Sequence, residues 1–534
     1  MSENKIDPSQ DASTNSYDTI PYPSYPFDAT HPDHIYTLAR LFKIEAKLPD
    51  EAAILELGGA SGGNLIPMAV QMPNAKFVGV DLSARQIAEG QATIERLGLE
   101  NIQLLARDFQ DIDDSFGKFD YILCHGVFSW VPPAAQNRIL ELCHERLARN
   151  GIAYISYNAY PGWFMRGMIR QMMLHHTRQL LNPVEKIKQA RALISFLVDS
   201  TEGQTTPHAQ VLKQELEMLS RQSDAYLFHE HLEDNNHPMF FYQFMELAEA
   251  NKLQFVGESS LASMVTSNLP AKAAEALTKL TSNMHHRSQY TDFVTNRMFR
   301  QSLLCHADVP VNRHLDEQRI EGARFVGAIQ VATTDHDLSN EVEMNFKFAN
   351  GRQLQVKSSV HKALLLTLAE AWPVSLTAAE IAERVKKRLS ELLVVGEQEA
   401  SPTEQIVSTS MLQMLARGDV DIRFVPDRFA ADIAEKPATT GLARLQAASA
   451  APITTLRHRT VKLDPPIRLL MQGVDGTKTR EDLIQAVADL AAAGQLTISI
   501  KGEKPVDMAT VSNATVNMLL EQLRKAALLL PAKA

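Results

Sequence analysis

The stretch Ile54 to Leu65, ILELGGASGGNL, limits the fold of this chain more than any other: a short apolar run feeds a glycine-dense turn, and a helical pattern starts where the turn ends. Four further apolar runs follow it. Candidate strands cover Ala53 to Leu57, Lys76 to Val80, Ile102 to Ala106, Phe119 to Cys124 and Ile152 to Tyr157, and helical patterns fall between them at Gly63 to Gln71, Ala84 to Leu97 and Ala134 to Ala148. This alternation builds βαβ units and predicts an α/β fold with a doubly wound parallel sheet. A ligand of such a sheet sits beyond the carboxyl ends of the strands, and the glycine turn marks the first of those ends.

Three ligand classes use such a turn: nucleoside triphosphates, dinucleotides and S-adenosylmethionine (SAM). A Walker loop needs a terminal GK[ST], but Gly63 is followed by Asn64 and Leu65, which removes the first class. Glu56, Gly58, Ala60 and Gly62 instead fill an ExGxGxG frame with Ala at its second Gly. Asp81, ending the second strand in KFVGVDLS, is placed to accept hydrogen bonds from the ribose hydroxyls of NAD or SAM alike. The third strand ends in ARDFQDI, where Asp108 offers a carboxylate to an adenine amine and Phe109 a ring for stacking. That third element favours SAM. The fourth and fifth strands lead to CHGVFSWVP and SYNAYPGW, so His125, Tyr157, Asn158 and Trp163 stand among aromatic residues at the switch-point edge. Aromatic faces suit a sulfonium cation and keep water from a methyl transfer.

A chain of 534 residues divides into roughly three or four domains at ~150 residues each. Residues 1–16 read as a flexible polar tail, and the sheet-forming unit spans 17–310. It is interrupted at about 164–235 by a helix-rich insertion whose Met-rich FMRGMIRQMMLHH reads as core or as a helix-helix surface, a possible homodimer face. KLQFVGES and FRQSLLCH then supply a sixth and a seventh strand. An α+β middle domain is expected over 311–430, with NG at Asn350 and Gly351 turning a hairpin, and a mainly helical domain over 431–534. SLTAAEIAERV and TKTREDLIQAV each open with a threonine and an acidic residue three positions later, a capping-box pattern that could mark a duplicated winged-helix-like module. The small residues of ADIAEKPATTGLARLQAASAAPITT suggest a linker. VKKR and RHRTVK are read as solvated faces, and the histidines of HEHLEDNNH as capping and packing residues, with no metal expected.

The series PYPSYPFDATHPDHI, LELGGASGGNLIPMA, GVDLS, HGVFSWVP and YNAYPGW resembles the SAM-dependent methyltransferases that carry a methyltransferase regulatory domain, among them bacterial protein-lysine methyltransferases acting on outer-membrane proteins. The resemblance is closest over about residues 17–165, continues through LFHEHLEDNNHPMFFYQF and RMFRQSLLCH, and fades beyond roughly 310. It implies a seven-stranded class I methyltransferase sheet, SAM as methyl donor and a protein lysine as acceptor. By position, Glu56, Gly58, Gly62, Asp81, Leu82, Asp108, Phe109 and His125 would hold SAM, with Tyr22 and Tyr25 closing over it. His125, Tyr157, Asn158 and Trp163 would face the acceptor. The (D/N)PPY signature of many base and glutamine methyltransferases is absent, since Asn158 is followed by Ala159, Tyr160 and Pro161. Transfer to a small metabolite, or a SAM-responsive scaffold without catalysis, stays open.

The formal net charge of -10 argues against a nucleic-acid partner. Three widely spaced cysteines, no apolar leader and no long apolar run predict a cytoplasmic protein without a membrane span.

Overall fold

The structure is a computed structural model describing residues 20, 21, 23–333, 336–390, 404–496 and 508–532. The tail expected at 1–16 and Tyr22 lie outside the described residues. The strands are β1 (Ala53–Leu57), β2 (Lys76–Asp81), β3 (Ile102–Ala106), β4 (Phe119–Cys124), β5 (Leu147–Asn158), β6 (Leu253–Glu258) and β7 (Phe299–His306). They form one sheet in the order β3-β2-β1-β4-β5-β7-β6. The first five run parallel, and β7 pairs antiparallel with both β5 and β6. The sheet is therefore mixed at one edge, and all strands but β7 end at the same side. β5 begins at Leu147 rather than Ile152, because Leu147 pairs with Phe119 across an irregularity in the ladder.

Apolar residues on both faces of the strands explain why the sheet is covered on both sides. Leu55 and Leu57 of β1 enter one core with Phe128, Tyr157 and Phe244, whereas Ile54 enters the other. This second core is continuous with the middle of the chain, joining Ile35 and Leu303 to Phe325, Leu365 and Met411. Beside the glycine turn, the helix Ala84–Leu97 starts on Ser83, whose side chain accepts from Gln86 N, and stops at left-handed Gly98.

Helices Trp163–Thr177, Pro183–Asp199 and Pro207–Leu219 make the insertion and pack around Ile169, Met173, Ile187 and Leu212. Within HEHLEDNNH, His229 and His231 are buried in a π-helical turn, with His229 Nδ1 at 2.7 Å from Glu233 and His231 Nε2 at 3.2 Å from Glu215. Among the described residues no cluster of potential metal ligands forms.

Beyond β7, the strands Met344–Phe348 and Gln353–Val356 pair antiparallel around the Asn350-Gly351 turn. The reciprocal capping bonds expected at Thr377 with Glu380 and at Thr479 with Asp482 are present, opening the helices Ala378–Ser390 and Arg480–Ala492. Two expectations fail here. The supposed linker contains the helix Gly441–Ala447, whose Ala443 and Ala447 join the core of the last helices, because small side chains permit close helix packing. In RHRTVK only the end is solvated: the hairpin Ile453–Thr454 with Thr460–Val461 drives Arg457 and His458 inward, where they are 5% and 1% exposed. No helix among the described residues is long and apolar enough to cross a membrane.

Candidate functional site

The glycine turn after β1 takes left-handed backbone at three alternate positions: Gly58 (φ 74°), Ala60 (φ 49°) and Gly62 (φ 75°). A side chain at Gly58 would also collide with Val127, since a Cβ there would lie 2.3 Å from Val127 Cγ2. Ala60 keeps its unfavourable conformation because its N–H donates to Asp81 Oδ2 at 2.8 Å. The other oxygen of Asp81 accepts from Ser83 N at 2.9 Å, so the carboxylate is fixed at the end of β2 beside the turn.

Under the turn lies Glu56, 4% exposed. Its Oε1 accepts from Asn64 Nδ2 at 2.7 Å, while Oε2 has no hydrogen-bond partner. Burial pushes this carboxyl up to about 7, against the stabilising Asn64 bond and with help from the Asp81 charge. Asn64 is the hub of the floor. Its Oδ1 accepts from Phe27 N at 3.0 Å, is 3.1 Å from Thr30 Oγ1 and lies 2.8 Å from His458 Nε2. The segment before the sheet is thereby strapped over the turn: Gly63 N donates to Ser24 Oγ at 2.8 Å, and a Cβ on Gly63 would strike the Ser24 carbonyl. An orphaned buried carboxylate oxygen, a clamped acid at the end of β2 and a side-chain-free turn fit a ligand bearing ribose hydroxyls and further N–H donors, which SAM is.

His125 follows β4. Its Nδ1 is 2.9 Å from the Tyr154 hydroxyl, and the rings of Phe27 and Phe299 lie 4.0 and 6.0 Å from its own. Burial pushes the imidazole down to about 4, so it is neutral.

Of the sequence-predicted positions, Glu56, Gly58, Gly62 and Asp81 converge at the turn. Leu82 stands 59% exposed just beyond Asp81, and Tyr25 is 39% exposed on the strap. Asp108 accepts from Gln110 N at 2.9 Å and caps a short turn at the end of β3. Phe109 is 8% exposed and lies in the core with Leu57 and Val80. Three acceptor-side positions are buried. Tyr157 stacks on Phe244 at 4.2 Å inside the core. Trp163 is 2% exposed and packs edge-to-face on Trp130, and Asn158 is tied by its N–H to Ser129 Oγ and by its amide to Asn236. Of the four, His125 meets the strap through the Phe27 ring. Asn64, Thr30, Tyr154 and His458 escaped the sequence reading. Asn64 alone carries a signal, a polar residue opening an otherwise apolar helix, LIPMAVQ.

Comparison with known proteins follows the same geography. A family model described as a methyltransferase domain matches residues 54–151, one described as a predicted methyltransferase regulatory domain matches 223–306, and one described as PKMT, C-terminal winged helix domain, matches 435–528. An uncharacterized protein of Rickettsia prowazekii (strain Madrid E) is 37% identical over 500 residues, covering 92% of this chain and 89% of that protein. A second one from the same organism is 42% identical over 234 residues, or 44% of this chain and 94% of the relative. The solved structure of PKMT2 from Rickettsia typhi in complex with AdoHcy superposes with a TM-score of 0.84 at 32% identity, covering 95% of this chain and all of that one.

Proposed function

The chain belongs to the PKMT family of SAM-dependent methyltransferases with a regulatory and a winged-helix domain, and from that premise we propose that it methylates a lysine side chain of a protein. The observation that carries the acceptor is the neutral His125 beside Tyr154, walled by Phe27 and Phe299 where the strands end. A lysine amine attacks only when unprotonated, and its ordinary pKa is ~10.4. A dry aromatic wall and an uncharged imidazole favour the neutral amine over the ammonium.

When bound, SAM supplies an electrophilic methyl on a sulfonium. Asp81, clamped by Ala60 and Ser83, orients the ribose end, and the strap through Phe27 and Thr30 holds the site shut to water. Nδ1 of His125 lies 2.9 Å from the Tyr154 hydroxyl, and in the tautomer with its proton on Nδ1, Nε2 keeps a lone pair that would accept an amine N–H and aim the nitrogen lone pair. The imidazole is too weak a base to keep the proton, which passes to solvent after transfer.

The finer parts of the proposal are an outer-membrane protein methylated in the cytoplasm before export, and a homodimer built on the insertion. Phe164, Leu181 and Phe196 support the latter, standing 55%, 94% and 64% exposed on one three-helix unit. Incubation with labelled SAM and either a protein or a metabolite extract tests the acceptor. Label on lysine residues by mass spectrometry is expected, and label confined to small molecules would overturn the reading.

A further inference from the structure

Between the strap, the end of β6 and the Arg457–Arg459 turn lies a cavity of about 270 Å³. Its wall holds a group that a folded protein rarely leaves so exposed to cost. Arg457 is 5% exposed, and its Nη1 donates to the carbonyl of Pro373 at 3.0 Å, but Nε and Nη2 have no hydrogen-bond partner. Asp421 lies 3.6 Å from Nη2, an ion-pair separation too long for a hydrogen bond. Burial, with Arg423 and Arg459 nearby, pushes the guanidinium down to about 9. Buried polar groups without partners are few in native proteins, and they often mark a ligand that completes them.

The remaining lining points the same way. His31 Nε2 is buried without a partner, its Nδ1 accepts from Asp33 N at 3.2 Å and burial holds the ring neutral, so Nε2 can turn an N–H toward a ligand without adding charge. Arg423, half-buried, has no side-chain partner among the described residues. The cavity carboxylates are Asp28, Asp33 and Asp421. Arg459 pairs with Asp28 at 2.6 Å, and Arg428 binds Asp33 through two bonds of 2.9 and 2.8 Å. Arg428 also binds Asp50 at 2.6 Å, so charges around the cavity balance, and what is left open to an anion is the unpartnered edge of Arg457 beside Arg423. We propose that this cavity is an oxyanion site, distinct from the SAM seat, that takes a phosphate group through Arg457, Arg423 and the His31 imidazole. A phosphate's acceptors match the guanidinium fork. The volume admits a small phosphomonoester as well as the free ion.

Calorimetry on the full chain with saturating SAM, at constant ionic strength, tests this with two probes, inorganic phosphate and glycerol 3-phosphate. Binding of one or both is expected, with at least about tenfold weakening in Arg423→Ala and in Arg457→Met. Tighter binding of the ester would identify a phosphorylated metabolite as the ligand, and equal binding the free ion. Should Arg457→Met not fold, the half-exposed Arg423→Ala decides alone. No binding of either probe, equal binding by Arg423→Ala and wild type, or displacement of the probe by SAM would overturn the proposal.

Discussion

Replacing Glu56 by Gln should make the ligand-free protein more stable at pH 8 and leave it unchanged near pH 4. The carboxyl titrates at about 7 in the folded protein against an ordinary 4.5, a difference of about two and a half units. At 1.36 kcal/mol per unit this is about 3 kcal/mol. The sign follows from proton counts: between pH 4.5 and 7 the unfolded chain has already lost the proton that the folded chain keeps, so stability falls as pH rises through that window. Below 4.5 both states are protonated and the group costs nothing. The amide of Gln can still accept from Asn64 Nδ2 but has no charge to bury, so the variant escapes the decline. Urea unfolding followed by tryptophan fluorescence measures the difference between the two proteins at each pH. A difference of about 3 kcal/mol at pH 8 that vanishes near pH 4 is expected. A gap that is constant across pH, or that favours the wild type at pH 8, would refute the account of Glu56 as an underpartnered buried acid. Affinity for SAM should move oppositely, weakening about tenfold at pH 8, because a ligand donor loses a charged acceptor.

Asp81→Ala should abolish measurable SAM binding, since it removes both the ribose acceptor and the clamp on Ala60; unchanged calorimetric affinity would contradict it. His458→Ala should lower stability by about 1 kcal/mol through the lost bond to Asn64, and hydrogen exchange should quicken at Phe27 and Gly63, a pattern that general loosening of the C-terminal helices would not give. Arg300→Met should cost about 3–5 kcal/mol in thermal or urea unfolding, because Asp292 and Glu258, both buried, lose the cation that binds them at 2.8 and 2.6 Å. A loss under 1 kcal/mol would mean that Arg297 alone suffices for both.

The sheet was legible because its signals are local. Short apolar runs gave β1, β3 and β4 to the residue, and the glycine frame gave the turn to which Asp81 is bonded. What stayed hidden depends on partners far along the chain. Nothing near Tyr157 says that Phe244 will stack on it, and strand periodicity alone does not say which face of β5 meets a helix and which meets the ligand. RHRTVK reads as a surface run by composition, since three basic residues in six belong in water unless carboxylates and aromatic rings receive them. Here Trp372, Asp421 and Asp28 do so, from three separate segments. The capping boxes, by contrast, were readable from four residues each.

The bond from His458 to Asn64 joins positions 394 residues apart, and it has a consequence for synthesis. At roughly 5–20 residues per second, a ribosome needs about 20–80 s to travel from one to the other. For most of that time the emerging chain carries its glycine turn and Asp81 without the last support of the floor beneath them. A product of premature termination late in that interval would have the glycine turn, Asp81, Asp108 and His125 but an unfinished floor beneath the turn. The floor of the turn is thus completed only in chains translated nearly to their end.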